Sequence, residues 1–218
     1  MNNLVVTILT EKHDELHFLN EKPILAQVIE YVRELQPKKI IIVTGKFYQT
    51  VIQTLSNYID IFGLIFLKQP EPLGSGDAIK WCLDEYDNLD KVLILNGDNS
   101  FITNSLIQGF INGSRGSCNI LTKNMENPNG YGRIIFDKDG DFIDIIEDNQ
   151  CSSSQRAISI VTIGVFYIDG FVLKQFVPFI SNNNLQKEYY LTDIVRTVKN
   201  KSWNVVDSVL LDDIIMNE

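Results

Sequence analysis

The stretch KVLILNGDN, residues 91–99, decides the fold of this 218-residue chain. Val92–Leu95 is an unbroken apolar run, which is typical of a strand buried on both faces of a parallel sheet. Asp98 comes just past the carboxyl end of that strand, and ligands of open α/β sheets bind along that edge. A carboxylate that follows Gly97 is well placed to hold a divalent cation, and the alternative is that Asp98 only caps a turn.

The first hundred residues alternate between strand and helix patterns. The apolar runs predict strands at 4–9, 39–44 and 64–67, and the helical periodicity predicts helices at 23–35, 49–59 and 75–83. This alternation predicts an α/β fold with a Rossmann-like, mostly parallel sheet flanked by helices.

The rhythm changes after residue 100, because predicted strands follow one another with little helix between them. We expect strands at 118–122, 132–136, 142–147, 158–168 and 203–206, and helices at 170–179 and 191–200. The sequence DKDG at 137–140 predicts a hairpin turn. We find no repeat and no linker, so we expect a single domain over residues 1–218 with a small antiparallel elaboration.

Composition argues against several classes of partner. The net charge of −9 disfavours binding to nucleic acid or to an anionic membrane surface. The three cysteines are widely spaced and form no CxxC pair, which favours a reducing, cytoplasmic compartment and argues against a zinc site. No apolar run approaches the length of a membrane span. We therefore expect small-molecule partners, and the oligomeric state stays open.

Five separated motifs point to one family. They are LGSGDA (73–78), LNGDNSF (95–101), PNGYGRI (128–134), IIED (145–148) and KEYYLTDI (187–194). In this order and spacing the chain resembles the nucleotidyltransferase domain of bacterial N-acetylglucosamine-1-phosphate uridyltransferases, which have the nucleotide-diphospho-sugar transferase fold. The sequence ends before any hexapeptide repeat of the kind that forms the acetyltransferase domain of those enzymes, so acetyl transfer is not expected.

The resemblance implies a reaction between UTP and N-acetylglucosamine 1-phosphate that yields UDP-N-acetylglucosamine and pyrophosphate. By resemblance, Asp98 and Asn217 are ligands of Mg²⁺, and two oxygen ligands completed by phosphates and water suit that ion. Gln69, Gly74 and Ser75 match the uridine site. The Gln69 amide offers a donor and an acceptor to uracil, whereas Pro72 stands where the family often has a second glutamine.

The resemblance also assigns a sugar site, made of Gly132, Glu147, Thr162, Tyr190 and Thr192. Thr162 stands where the family usually has an asparagine, so that contact is changed in kind. Either Tyr189 or Tyr190 can stack on the sugar, and the other is expected to pack in the core.

The chain departs from the family at the loop after its first strand. The family holds the triphosphate there with glycines, an arginine and a lysine. Here residues 10–16, TEKHDEL, contain no glycine or arginine and carry three carboxylates that repel phosphate. Lys12 is the candidate catalytic cation, and the alternative is that it is a solvated surface lysine.

This departure leaves three functional hypotheses. The first is an active uridyltransferase, and the second is a catalytically weak or inactive UDP-sugar-binding module of the same fold. The third, a glycosyltransferase, ranks last, because NGD is not the usual paired-aspartate metal motif of those enzymes.

Overall fold

The structure is a computed structural model that describes residues 3–10, 16–200 and 206–210. The strands are β1 (Leu4–Thr10), β2 (Phe18–Leu19), β3 (Lys22–Pro23), β4 (Lys39–Thr44), β5 (Leu64–Lys68), β6 (Lys91–Asn96), β7 (Cys118–Asn124), β8 (Arg133–Phe136), β9 (Phe142–Ile146), β10 (Ile160–Asp169) and β11 (Val206–Leu210). The helices are α1 (Ile24–Glu34), α2 (Tyr48–Ser56), α3 (Ser75–Lys80), α4 (Asn104–Gly113), α5 (Gly170–Phe176) and α6 (Asp193–Asn200).

The main sheet has the strand order β11-β7-β10-β6-β1-β4-β5, and β8 pairs with both β10 and β9. β1 runs parallel to β4 and β6, and β5 runs parallel to β4. β10 is antiparallel to β6 and to β7, and the β8–β9 hairpin extends this half of the sheet. The predicted α/β fold, a mostly parallel sheet with an antiparallel elaboration, is confirmed.

Apolar side chains cover both faces of the sheet. In β1, Val5 and Leu9 belong to one core cluster, and Val6 and Ile8 belong to the other. Burial on both faces explains why the parallel strands are unbroken apolar runs without alternation. Among the described residues no helix is both long and apolar enough to cross a membrane.

The prediction of little helix after residue 100 is wrong at α4. Thr103 caps this helix, because its Oγ1 accepts a hydrogen bond from the Leu106 amide at 3.3 Å. Ile107 and Phe110 are fully buried in the core. Two glycines and the β-branched isoleucines weaken the helix propensity of this segment, so its helical state depends on packing against the core.

Two element boundaries also differ from the predictions. α3 ends at Lys80 because the Cys82 amide bonds the Ile79 carbonyl at 2.9 Å, a tight closure that ends the helix before a separate 3₁₀ turn at Leu83–Glu85. β11 begins at Val206 and pairs in parallel with β7, whereas residues 203–205 of the predicted late strand lie outside the described residues.

Asp90 joins three elements at the edge where β6 begins. Its side chain is only 2% exposed, and it accepts hydrogen bonds from Lys38 Nζ at 3.1 Å and from the Asp87 amide at 2.8 Å. Its backbone carbonyl accepts from the Gly170 amide at the start of α5. A Cβ added to Gly170 would lie 2.3 Å from the Asp87 carbonyl oxygen. The two backbone segments therefore pack too closely here for a residue with a side chain.

We predict that Asp90→Ala lowers the free energy of unfolding by about 1–3 kcal/mol, because the substitution leaves the Asp87 amide without its acceptor and removes one of the two carboxylates that bind the Lys38 ammonium. Urea denaturation measures this change. The control is Asp84→Ala, since Asp84 is exposed one turn before this junction. Equal losses in the two variants would contradict the role given to Asp90.

Candidate active site

A cleft of about 600 Å³ opens at the edge where the parallel strands end. Leu9 comes from β1, and Asp98 comes from the turn after β6. Thr162 belongs to β10, Glu147 follows β9, and Thr192 precedes α6. Both halves of the sheet therefore contribute to one cavity at the edge where α/β folds bind ligands.

Residues predicted for the uridine, metal and sugar roles share this cleft: its lining includes Ser75, Asp98, Gly132, Glu147, Thr162 and Thr192. Gln69 is linked to the cleft through Gly74, which directly precedes Ser75. The Tyr190 hydroxyl lies 3.4 Å from Asn149 Nδ2, and Tyr190 directly precedes the lining residue Leu191. Lys12 and Asn217 lie outside the described residues.

The Asp98 side chain is exposed in the cleft. It is carried by a turn that backbone hydrogen bonds stabilise. The Gly97 amide donates to the Leu9 carbonyl at 2.9 Å, and the Ser100 amide donates to the Asp98 carbonyl at 2.7 Å. The neighbouring side chains of Asn96 and Ser100 add amide and hydroxyl oxygens to the lining. In the described part of the chain no group of three or more His, Cys, Asp or Glu side chains is arranged so that it could hold a metal ion. A single carboxylate beside neutral oxygens still fits Mg²⁺, which takes few protein ligands and completes its shell with phosphates and water.

The loop at 73–76 is held by the segment around Tyr189. The Tyr189 amide donates to the Leu73 carbonyl, and the Gly76 amide donates to the Tyr189 carbonyl, each at 2.7 Å. Gly74 has φ +99°, and a Cβ there would lie 2.7 Å from the Tyr189 oxygen. The glycine is therefore required by the packing of the protein's own backbone, independently of any ligand.

Gln69 is buried and already has partners for its amide nitrogen. Nε2 donates to Asp77 Oδ2 at 2.8 Å and to the Gly74 carbonyl at 3.3 Å. A primary amide carries two hydrogens, so both are used within the chain. The carbonyl oxygen is the atom of Gln69 that remains for a ligand.

Gly132, which directly precedes β8, packs closely against residues of β9 and β10. A Cβ added there would lie 2.9 Å from Ile145 Cγ2 and 3.0 Å from Thr162 Cγ2. Both neighbours are β-branched side chains with stiff χ1 angles, so neither can readily give way. The absence of a side chain at Gly132 thus keeps this wall of the cleft open.

Glu147 faces Gly132 and is held by Thr192, whose Oγ1 donates to Oε1 at 2.5 Å. Burial raises the pKa of the Glu147 carboxyl, and the nearby charges of Asp193, Asp148 and Glu188 raise it further, while the hydrogen bond from Thr192 lowers it. The position of Glu147 in this wall therefore destabilises the charged form of its carboxyl group.

A bulge in β10 sets the direction of Thr162. Thr162 pairs with Thr122 of β7, but the next paired residue of β10 is Val165, opposite Leu121. Gly164 within the bulge has φ +73°, and a Cβ there would lie 2.7 Å from Asn96 Nδ2. Bulges near sites commonly redirect side chains, and this one lies against the end of β6.

Sequence reasoning gave no role to Arg133, which is fully buried and directly follows the lining residue Gly132. Its Nη2 donates to Asp148 Oδ1 at 3.0 Å, and its Nη1 donates to the Tyr131 carbonyl. The arginine thereby ties the 130–132 loop to the turn after β9. The sequence signal that could have indicated this ion pair is the opposite charge of Arg133 in GYGRI and Asp148 in IIED.

The cleft is acidic. Within the residues that the structure describes, its lining contains the carboxylates Asp98 and Glu147 and no lysine or arginine. Lys123 on β7 is near, since its Nζ lies 5.9 Å from the centre of the Phe101 ring, and that ring lines the cleft. A nucleotide triphosphate in this cleft therefore needs a bound cation or a basic group from beyond the lining residues.

Comparison with known proteins yields a family match and close relatives. Residues 9–212 match the model of the nucleotidyl transferase family. A protein of Acanthamoeba polyphaga mimivirus, named "Probable UDP-N-acetylglucosamine pyrophosphorylase", is 37% identical over 201 residues, covering 90% of this chain and 78% of the viral protein. The bifunctional protein GlmU of a Psychrobacter species is 34% identical over 206 residues, but the match covers only 44% of its length.

Solved structures agree on the fold. HddC from Yersinia pseudotuberculosis superposes with a TM-score of 0.65 at 17% identity, and the match covers 96% of this chain and 90% of that one. A proposed glucose-1-phosphate thymidylyltransferase from Bacillus anthracis, crystallised with sucrose, gives a TM-score of 0.69 at 16% identity, over 95% of this chain and 86% of that one. At such low identity these likenesses support the architecture alone.

We predict that Glu147→Gln raises the melting temperature at pH 7 to 8, and that this gain disappears towards pH 4. The folded-state pKa of Glu147 lies above its ordinary value of 4.5. The stability that comes from the protonated carboxyl is therefore full below pH 4.5 and is lost as the pH rises through the folded-state pKa. Glutamine remains neutral and can still accept the Thr192 hydrogen bond. Thermal melts of both proteins across this range measure the effect, and a pH-independent difference would contradict it.

Proposed function

Because the chain belongs to the nucleotidyl transferase family, we propose that it joins UTP and N-acetylglucosamine 1-phosphate into UDP-N-acetylglucosamine and pyrophosphate. The family match over residues 9–212 supports nucleotidyl transfer as the reaction class. The viral relative named for this pyrophosphorylase activity, 37% identical over 90% of the chain, supports the specific substrates.

The observation that carries the proposal is that one cleft contains residues for all three roles. The residues that line it include Ser75 of the predicted uridine site, Asp98 of the predicted metal site and Glu147 of the predicted sugar site. These residues are far apart in sequence, and the sheet brings their loops to the same edge.

We infer a mechanism in which the protein positions two phosphorylated substrates. An oxygen of the sugar phosphate attacks the α-phosphorus of UTP in line. The new P–O bond forms as the bond between the α-phosphorus and its bridging oxygen breaks, and pyrophosphate leaves with that electron pair. Holding both substrates in this geometry is the main contribution of such a site.

Each side of the cleft then has a task. On the nucleotide side, Gln69, Gly74 and Ser75 hold the uridine. On the sugar side, Glu147 accepts hydrogen bonds from sugar hydroxyls with Oε2, because Oε1 is engaged by Thr192. The remaining sugar-site residues are Gly132, Thr162, Tyr190 and Thr192.

Cations complete the proposed mechanism. We propose that Asp98, with Asn217, holds Mg²⁺, which supplies neutralisation of phosphate charge when bound. Lys12 is our candidate for the charge that develops on the leaving pyrophosphate. Its loop follows β1, whose residue Leu9 lines the cleft.

The second candidate function is a module that binds a UDP-sugar without turnover. The acidic lining of the cleft, with no lysine or arginine among the described lining residues, is the observation in its favour. The names of the relatives favour the enzyme.

We predict Mg²⁺-dependent pyrophosphate release from UTP and N-acetylglucosamine 1-phosphate, and a loss of about 100-fold or more in Asp98→Asn, since a metal ligand stabilises transition-state charge by several kcal/mol. The control is Asp84→Asn, which removes an exposed carboxylate elsewhere on the surface. A second readout is the rise in melting temperature that Mg²⁺ and UTP produce together, which Asp98→Asn should reduce.

The outcomes separate the two candidates. Release that persists in Asp98→Asn would contradict the metal role of Asp98. No release from the wild-type protein, together with heat stabilisation by UDP-N-acetylglucosamine, would establish the binding module in place of the enzyme.

A further inference from the structure

We propose that Asp77 determines which pyrimidine base the nucleotide site accepts, because it fixes the orientation of the Gln69 amide. The inference rests on the proposed function in one respect, which is that a nucleotide base is placed against Gln69. Asp77 acts through Gln69 and is therefore a positioning residue. The family resemblance assigned it no role.

The orientation of the amide follows from the chemistry of its neighbours. Gln69 is 4% exposed, and one end of its amide faces Asp77 Oδ2 at 2.8 Å and the Gly74 carbonyl oxygen at 3.3 Å. A carboxylate and a backbone carbonyl only accept hydrogen bonds. The inverted amide would place its oxygen in a buried position against two oxygens that cannot donate a hydrogen bond.

Asp77 is itself held firmly. It lies in the first turn of α3, where the Ala78 amide bonds the Gly74 carbonyl at 3.0 Å. The preceding residue, Gly76, is fixed by the Tyr189 carbonyl, and a Cβ at Gly76 would lie 2.9 Å from that oxygen. The backbone that carries this carboxylate is therefore fixed against the Tyr189 segment.

In this fixed orientation, the side-chain amide of Gln69 presents only its oxygen, Oε1, to a base. Uracil and thymine carry a hydrogen on N3 and can donate it to this oxygen. Cytosine has a bare N3 at the same place, so two acceptors would face each other. A site built to accept a hydrogen bond rejects an analogue that cannot donate one, because its buried acceptor is left unpaired. The fixed orientation of the Gln69 amide thus selects UTP over CTP, and no charged group contacts the base.

The experiment measures the dissociation constants of UTP and CTP by calorimetry with Mg²⁺, so that it does not require turnover. Asp77→Asn keeps the shape of the side chain, but its amide can donate as well as accept, so the second orientation of Gln69 is then opposed only by the more distant Gly74 carbonyl oxygen. We expect the preference for UTP over CTP to fall about tenfold, mainly through tighter binding of CTP. Asp77→Ala, which removes the acceptor altogether, should change the preference in the same direction.

The matched control is Glu71→Gln, an exposed residue of the same loop whose substitution also removes one negative charge. It should leave the preference unchanged, which separates the orientation of Gln69 from a general change of charge.

A retained preference in both Asp77 variants, with melting temperatures near that of the wild type, would overturn the inference and leave the proposed function intact. Wild-type protein that binds CTP as tightly as UTP would also overturn the inference, and wild-type protein that binds neither would overturn the proposed function as well.

Discussion

The site depends on the pairing of β6 with two strands of opposite direction. β6 is parallel to β1, with Leu95 opposite Ile8, and antiparallel to β10, with Ile94 opposite Phe166. Parallel strands send their following loops to one edge, whereas an antiparallel neighbour brings its beginning to that same edge. The turn that carries Asp98 therefore meets the bulged start of β10. Every other part of the cleft is arranged around this junction of the two halves of the sheet.

A second constraint links the loop at 73–76 to Glu147 in the wall of the cleft. The segment at 189–191 bonds the loop at 73–76 through its backbone, and the Leu191 amide also donates to Ser75 Oγ at 3.0 Å. Lys80 stacks on this segment, with Nζ 3.6 Å from the centre of the Tyr189 ring. Since Thr192 follows directly and bonds Glu147, one short stretch of chain sets both the position of the 73–76 loop and the orientation of the Glu147 carboxylate.

Charge is distributed in an unusual way for a site that would bind phosphates. Arg133 lies just behind the cleft wall, but its positive charge is paired with Asp148, 3.0 Å away, and with a backbone carbonyl. Glu147 is kept in the wall although burial raises its pKa. The buried cation is thus engaged within the wall of the cleft. In the proposed reaction, neutralisation of phosphate charge would fall to a bound metal ion and to groups beyond the described lining residues.

The sequence by itself determined the order and type of most elements, because unbroken apolar runs such as KIIIVT at 39–44 identify strands that are buried on both faces. It also identified residues that line the cleft, since Asp98 follows a predicted strand, and Gly132 and Glu147 match site positions of the family that the chain resembles. Tertiary structure alone decided the rest. α4 forms because Phe110 and its neighbours find a core, which local propensity does not reveal. The partnership of Gln69 with Asp77 depends on how α3 is seated against the Tyr189 segment, and hydrogen-bond direction between side chains is a property of three-dimensional contact, which no spacing in the chain encodes.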